Sequence, residues 1–401
     1  MKKKRLYIVL LIFSVASCNL KQQPSSETSD WKQDLGNSIT LFGDTIRYAK
    51  GFEVTNGDGY VQVEVKDPWK KGNILQRYLL VPRSKPLPQG LPVGTVVRTP
   101  IHKMVVYTAV HLAMFDALDA LDEIIGVCEA RYIKDTSIHA RIKQGLMHDL
   151  GKATSPNIEK MLAINAEVLI ASPFENANYG SVEKTGIPII ECADYLETTP
   201  LGRAEWIKFI GRLTGKSRLA DSLFHITETN YLNKKNLTAN VTYRPKLMTE
   251  MRYGNTWYVS GGESYMAHLY KDAGIDYLFS YLQGTGGIPL SFETVLNKGI
   301  HADLWLILYN REEDMTYQSL QSDYSSYNRF DPFRTRRIYG CNVNYSPYYE
   351  EVPIHPDYLL EELIAICHPS LLPNYIFRYF KPLEAINPVS QHRETENAEF
   401  H

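Results

Sequence analysis

The sequence predicts an α/β protein with two Rossmann-like lobes, preceded by a small antiparallel β extension. Three observations lead there. At 401 residues the chain exceeds one typical domain. From residue 103 onward, short apolar runs alternate with stretches of helical periodicity, the pattern of a parallel sheet covered by helices. The two halves also echo each other. Ile158-Glu159-Lys160-Met161-Leu162 leads into Ala166-Glu167-Val168-Leu169-Ile170, and Phe292-Glu293-Thr294-Val295-Leu296 leads into Ala302-Asp303-Leu304-Trp305-Leu306. In each, a helix opening with Glu feeds a buried strand.

The N-terminus carries an address. Lys2, Lys3, Lys4 and Arg5 precede an apolar or small run over residues 6–17. That run is shorter than the roughly 20 residues a membrane-spanning helix needs and fits the apolar core of a secretory signal. It ends Val15-Ala16-Ser17-Cys18, which resembles the lipobox of bacterial lipoproteins. The resemblance implies cleavage before Cys18 and lipidation of its sulfur. Residues 19–30 are polar, contain Pro24, and read as a flexible tether. No later stretch is apolar and long enough to span a membrane.

The elements follow in order. Val61, Val63 and Val65 alternate with Gln62, Glu64 and Lys66 beside Asn56-Gly57-Asp58-Gly59, a strand pattern around a hairpin signal. Residues 104–107 suit a buried strand, and Thr108 suits the cap of a helix bearing Val110, Ala113, Met114, Ala117, Leu118 and Leu121. Residues 124–127 form a second apolar run. Ser155-Pro156 suits a helix start, with Ser as cap and Pro in the first position. Residues 166–171 and 187–190 read as strands. Residues 200–238 read as helical, with a break at Gly215. A second series follows: a strand over 246–251, helices around 265–273 and from Ser291, a strand over 304–308, and an amphipathic helix over 358–367. The end of the chain, from about residue 389, is polar.

Composition narrows the chemistry. The formal net charge of −2 offers no strongly basic face for nucleic acid. The 27 tyrosines suit a cleft in which one ring edge is apolar and the other wet. Cys128, Cys192, Cys341 and Cys367 lack the spacing of a zinc site, although export permits disulfides. His148-Asp149 has no second His-Asp set to form a metal hydrolase centre, and Gly261-Gly262-Glu263-Ser264 is not a nucleophile elbow.

Several stretches resemble the periplasmic binding proteins for iron-siderophores, haem and cobalamin. Residues 104–131, MVVYTAVHLAMFDALDALDEIIGVCEAR, are similar to that family's opening strand, helix and strand. SPNIEKMLAINAEVLI at 155–170 resembles its next helix and strand, with Asn165-Ala166-Glu167 replacing the usual Pro-Asp. Gly186-Ile187-Pro188, the run Pro200-Leu201-Gly202-Arg203-Ala204-Glu205-Trp206, His355-Pro356-Asp357 and His368-Pro369 follow in the family's order. The likeness covers roughly residues 80–385. It implies a signal peptide over 1–17, a lipid-anchored tether over 18–37, a first lobe with the β extension over 38–214, a linking helix over 215–238, a second lobe over 239–388 and a polar tail over 389–401. It also implies a non-enzymatic, monomeric substrate-binding lipoprotein without a resident cofactor or directly ligated metal. Such a protein captures an iron chelate, haem or corrinoid for an ABC permease dimer and its ATPase, tethered with the inner leaflet of the outer membrane favoured. A transporter-independent scavenger and a periplasmic hydrolase are the rival readings.

Ligands in such lobes sit outside the carboxyl ends of the strands. The resemblance places Tyr107, His111 and Phe174 there in the first lobe. In the second it points to 252–265, 309–311 and 327–337. Trp257, Tyr258 and Tyr265 surround a Gly-rich loop and would floor a flat chelate, with core packing as the alternative. Arg329 and Arg334 would meet ligand carboxylates, with a solvated charged face as the alternative. Glu159 and Glu293 sit in first turns, where a carboxylate favours the helix end without any function. In the family, glutamates at these matching positions dock the permease. If the first sheet has the family order 2-1-3-4, Cys128 and Cys192 follow its outer strands. Three strand spacings, about 14 Å, then exceed the roughly 7 Å that a disulfide allows. The pairing of Cys341 with Cys367 stays open.

Overall fold

The computed structural model describes residues 45–385 apart from residue 177. The signal-peptide, Cys18, tether and polar-tail expectations lie outside the described residues. Among the described residues no helix is long and apolar enough to cross a membrane.

Residues 45–51 form a strap outside regular secondary structure. A hairpin follows, β1 (Phe52–Asn56) and β2 (Val61–Lys66), paired from Asn56–Val61 to Phe52–Val65. The alternation buries Phe52, Val63 and Val65. β3 (Ile74–Pro82) continues antiparallel to β2, but β4 (Thr95–Thr99) runs parallel to β3. The extension is therefore mixed rather than antiparallel throughout. The chain returns through residues 83–94, too long a connection for a hairpin, and the Arg98 guanidinium donates to the Pro82, Arg83 and Lys85 carbonyls to hold that return.

The first lobe opens with β5 (Met104–Val106) and α1 (Ala109–Ala117), capped by Thr108, whose hydroxyl accepts from the His111 amide at 3.4 Å. β6 (Ile124–Val127), α2 (Thr136–Lys143) and the short β7 (His148–Asp149) follow. A small hairpin, β8 (Gly151–Lys152) with β9 (Ser155–Pro156), leads to α3 (Ile158–Ala163). Ser155-Pro156 is thus a strand rather than a helix start. The cap is Asn157, whose side chain accepts from the Lys160 amide at 2.8 Å. β10 (Val168–Ala171) and β11 (Ile189–Glu191) complete a parallel sheet in the order β11-β10-β5-β6-β7. The extension covers its edge. The Tyr78 hydroxyl donates to the Ile189 carbonyl at 3.0 Å and accepts from the Glu191 amide at 2.8 Å, which satisfies groups that an open strand would expose.

The connection consists of α4 (Pro200–Ala204), α5 (Ile207–Leu213) and α6 (Ser217–Leu237), with Gly215 between the last two at φ +71°. These helices hold the strap. Glu205, fully buried, accepts from the Arg47, Tyr48 and Ala49 amides at 3.0, 2.7 and 2.9 Å. Glu197 accepts from the Gly51 amide and from Trp206 Nε1. Glu228 of α6 accepts from the Tyr48 hydroxyl at 2.6 Å. Consecutive amides converging on one carboxylate make an anion nest. Glu205 of the Pro200–Trp206 run is therefore occupied in holding chain.

The second lobe carries β12 (Lys246–Thr249), β13 (Arg252–Tyr253), β14 (Thr256–Ser260), α7 (Tyr265–Asp272), β15 (Asp276–Tyr277), β16 (Gly287–Leu290), α8 (Phe292–Gly299), β17 (Leu304–Tyr309), α9 (Tyr317–Asp323), α10 (Asp331–Arg334), β18 (Ile338–Asn342), α11 (Tyr348–Glu351), α12 (Pro356–Cys367) and β19 (Lys381–Pro382). Its main sheet runs β15-β12-β17-β18-β19, and β13, β14 and β16 form a separate antiparallel sheet. With the extra edge strands β7 and β19 set aside, both lobes have the order 2-1-3-4. The α3–β10 and α8–β17 units whose sequences echo are thus equivalent. A ring cluster of Trp257, Trp305, Tyr327 and Phe330 fills the second core. Cys128 and Cys192 follow β6 and β11, three strands apart, and all four described cysteines are buried and unpaired.

Candidate functional site

In an open α/β sheet the crevice lies where the strand order reverses, outside the carboxyl ends. In the first lobe that point falls between β5 and β10, and in the second between β12 and β17. Tyr107 and residues 172–174 flank the first, and Glu250 and Asn310 the second. The lobes meet beside these points. α1 packs against α11, and Lys134 Nζ donates to Asn344 Oδ1 at 3.1 Å.

Tyr107 is 6% exposed, and its hydroxyl has no hydrogen-bond partner. Burial pushes its pKa up. Phe174, by contrast, is 53% exposed on the loop after β10. That loop is pinned by the Tyr195 hydroxyl, which donates to the Pro173 carbonyl at 2.6 Å.

His111 lies beneath the rim and is fully buried. Its Nε2 stands 3.1 Å from Asp194 Oδ1, and Arg203 Nε donates to Asp194 Oδ2 at 3.1 Å. The Arg203 guanidinium lies 5.0 Å from the Tyr265 ring centre. Burial alone would raise the Asp194 pKa, but the His111 bond and the Arg203 charge outweigh it and hold the carboxyl below its ordinary value. A polar chain therefore runs from α1 through the loop after β11 and α4 to α7, joining the two lobes under the crevice. His111 supports the floor, and its burial keeps it from direct ligand contact.

On the second side, Glu250 adopts φ +64°, which is uncommon for a residue with a side chain. Its backbone is pinned between the Leu306 carbonyl and Trp305 Nε1. Burial pushes its carboxyl up to about 7, partly offset by the Leu308 amide. Its charge reaches Tyr270, Tyr277 and Tyr349, whose pKa values are raised mainly by burial. Glu129, after β6, also has positive φ, at +54°. Positive φ also occurs at Asp119, Asn165, Asn176 and Arg336, so it does not by itself mark the crevice. Arg203 and Glu250 were not singled out from the sequence. Arg203 sat in a noted run, but nothing local distinguishes a left-handed Glu.

The other nominated residues are not all at the crevice. Strand alternation turns Trp257 and Val259 inward and Tyr258 outward. Trp257 is fully buried, stacked 5.7 Å from Trp305, and its Nε1 donates to the Thr249 carbonyl. It is core rather than ligand floor. Tyr258 is 47% exposed on β14, and Tyr265 is half-buried against Arg203. Arg329 and Arg334 are exposed. Arg334 pairs with Asp331, whose amide donates to the Ile300 carbonyl, while the Arg337 carbonyl receives the Trp305 amide. This segment borders the amino ends of β17 and β18, opposite the crevice, because it precedes β18 rather than following a strand. Glu159 and Glu293 are exposed and each is the second residue of its helix, after caps Asn157 and Ser291. Among the described residues no group of His, Cys, Asp and Glu could hold a metal ion.

Residues 104–345 match the family model described as periplasmic binding protein. An uncharacterized lipoprotein of Methanocaldococcus jannaschii is 26% identical over 350 residues, covering 81% of this chain and 82% of the relative. A periplasmic haem-binding protein, RhuT from Roseiflexus sp. RS-1, superposes with TM-score 0.52 at 16% identity, over 67% of this chain and 99% of its own. A periplasmic haem-binding protein from Pseudomonas aeruginosa gives 0.52 at 17% identity, over 71% and 95%. These two likenesses establish the fold.

Proposed function

This chain belongs to the periplasmic binding protein family, a family of substrate-binding proteins rather than enzymes, and on that premise we propose that it is the substrate-binding lipoprotein of an ABC importer for an iron-siderophore, haem or corrinoid. The observation that carries the reading is the pair of facing switch points, joined beneath by the His111–Asp194–Arg203–Tyr265 chain. A chelate held there would rest on Tyr265, with Phe174 and Tyr107 at the first rim and Tyr258 and Glu250 on the second side. Resemblance to haem-binding structures supports this ligand class, and the likeness to a lipoprotein supports an anchor at Cys18. Glu159 and Glu293, placed alike on equivalent helices, are the proposed contacts to the two halves of a permease dimer.

Absorbance titration of the purified chain with haemin, cyanocobalamin and ferric hydroxamate tests the reading. One of these should give a saturable spectral change at one equivalent, weakened by Tyr265→Ala. Absence of saturable binding by all three would overturn the ligand class.

A further inference from the structure

The β extension builds a second pocket, which shares Phe174 with the first rim of the crevice. Where residues 67–76 meet residues 174–191, a cavity of about 350 Å³ opens. Trp69, Phe174 and Tyr179 give it aromatic walls. Among the described residues its carboxylates are Asp67, Glu175, Glu183 and Glu191, set against a single cation, Lys70.

Glu191 sets the chemistry. It ends the edge strand β11 and is only 4% exposed. The Tyr179 hydroxyl donates to its Oε1 at 2.9 Å, and the Gln76 side-chain amide also interacts with the carboxylate, yet Oε2 is buried without a hydrogen bond of normal geometry. A buried carboxylate oxygen without a donor is costly. We propose that this pocket binds an organic primary ammonium ion, which donates N–H to Glu191 and lays its carbon skeleton against Trp69, Phe174 and Tyr179.

The alternatives fit less well. An anion meets a surplus of carboxylates. A metal ion needs clustered ligands, and none occur among the described residues. A quaternary ammonium suits the aromatic faces but has no N–H for the unpartnered oxygen. The site does not rest on the proposed cleft ligand. Five of its twelve lining residues precede residue 104, outside the stretch that matches the family model, so either reading can fail alone.

Calorimetric titration of the full chain with phenethylammonium, and with its N,N,N-trimethyl analogue, decides the matter. Phenethylammonium should bind one to one, at least about tenfold more tightly than the trimethyl form, a difference of about 1.4 kcal/mol. Glu191→Gln should weaken it about tenfold or more. Because a buried substitution can unfold the lobe, Trp69→Leu at the pocket wall provides the second arm and should weaken binding at unchanged melting temperature. No binding of phenethylammonium, equal binding of the two probes, or binding indifferent to the folded variants would overturn the proposal.

Discussion

Glu205 shows how much one side chain can organise. It is fully buried, gathers three backbone amides of the strap, and receives Lys208 Nζ at 3.0 Å. Glu205→Gln keeps an acceptor but removes the charge, so it should destabilise the fold by about 1.5–3 kcal/mol in urea unfolding and leave a saturating cleft ligand bound. Glu250 makes a different prediction. Its folded pKa, about 7, lies above the ordinary value of 4.5. The folded state therefore keeps a proton that the unfolded chain releases. Stability from this group is complete below pH about 4.5 and declines as pH rises through about 7. Glu250→Gln should flatten that decline and gain about 1–3 kcal/mol at pH 8 relative to the wild type, measured by denaturant unfolding across the range. Neither residue was legible as special in the sequence. A nest or a left-handed Glu is formed by distant chain, and its letters look like any exposed carboxylate. Trp257 failed as a ligand residue for the complementary reason. An aromatic beside glycines looks the same whether it faces a cleft or a core, and only the register of β14 separates Trp257 from Tyr258.

At the scale of elements the sequence was more informative. Periodicity located β5, α1, β6, β10 and β17, and the cap at Thr108 is where its hydroxyl suggested. The misses occur where pairing with other chain overrides local preference. Ser155-Pro156 pairs with Gly151 and Lys152 in a hairpin, so the start of α3 moves to Asn157. β4 joins β3 in parallel although its own residues carry no sign of direction. The short β7 and β19 depend on a neighbouring strand. α6 carries a mechanical prediction. Its 21 residues span about 32 Å at 1.5 Å per residue, and it packs along both α5 and α12. A continuous helix offers no loop to absorb large dihedral changes, and Lys234 Nζ ties it to Glu361 of α12 at 2.7 Å. Small-angle scattering with and without bound ligand should therefore show nearly the same radius of gyration. A large compaction would contradict the strut.

For the whole molecule, the repeated order 2-1-3-4 matters most. It makes α3 and α8 counterparts, so Glu159 and Glu293 occupy the same place in each lobe. Two linked Arg–carboxylate contacts reinforce each other through effective concentration. Glu159→Ala and Glu293→Ala should each leave ligand affinity unchanged and weaken permease docking, and the double variant should abolish uptake. If these carboxylates only favour their helix ends, each loss costs about 0.3–1 kcal/mol of stability and transport continues. Uptake and melting measured on the same variants separate the two. The strap adds a consequence for the anchor proposed at Cys18. Whatever precedes Thr45 joins the body where Glu197, Glu205 and Glu228 grip the strap, on the connecting helices rather than on the rim of either lobe. Tension along a leash would load the shared axle, with little leverage to pry the jaws apart.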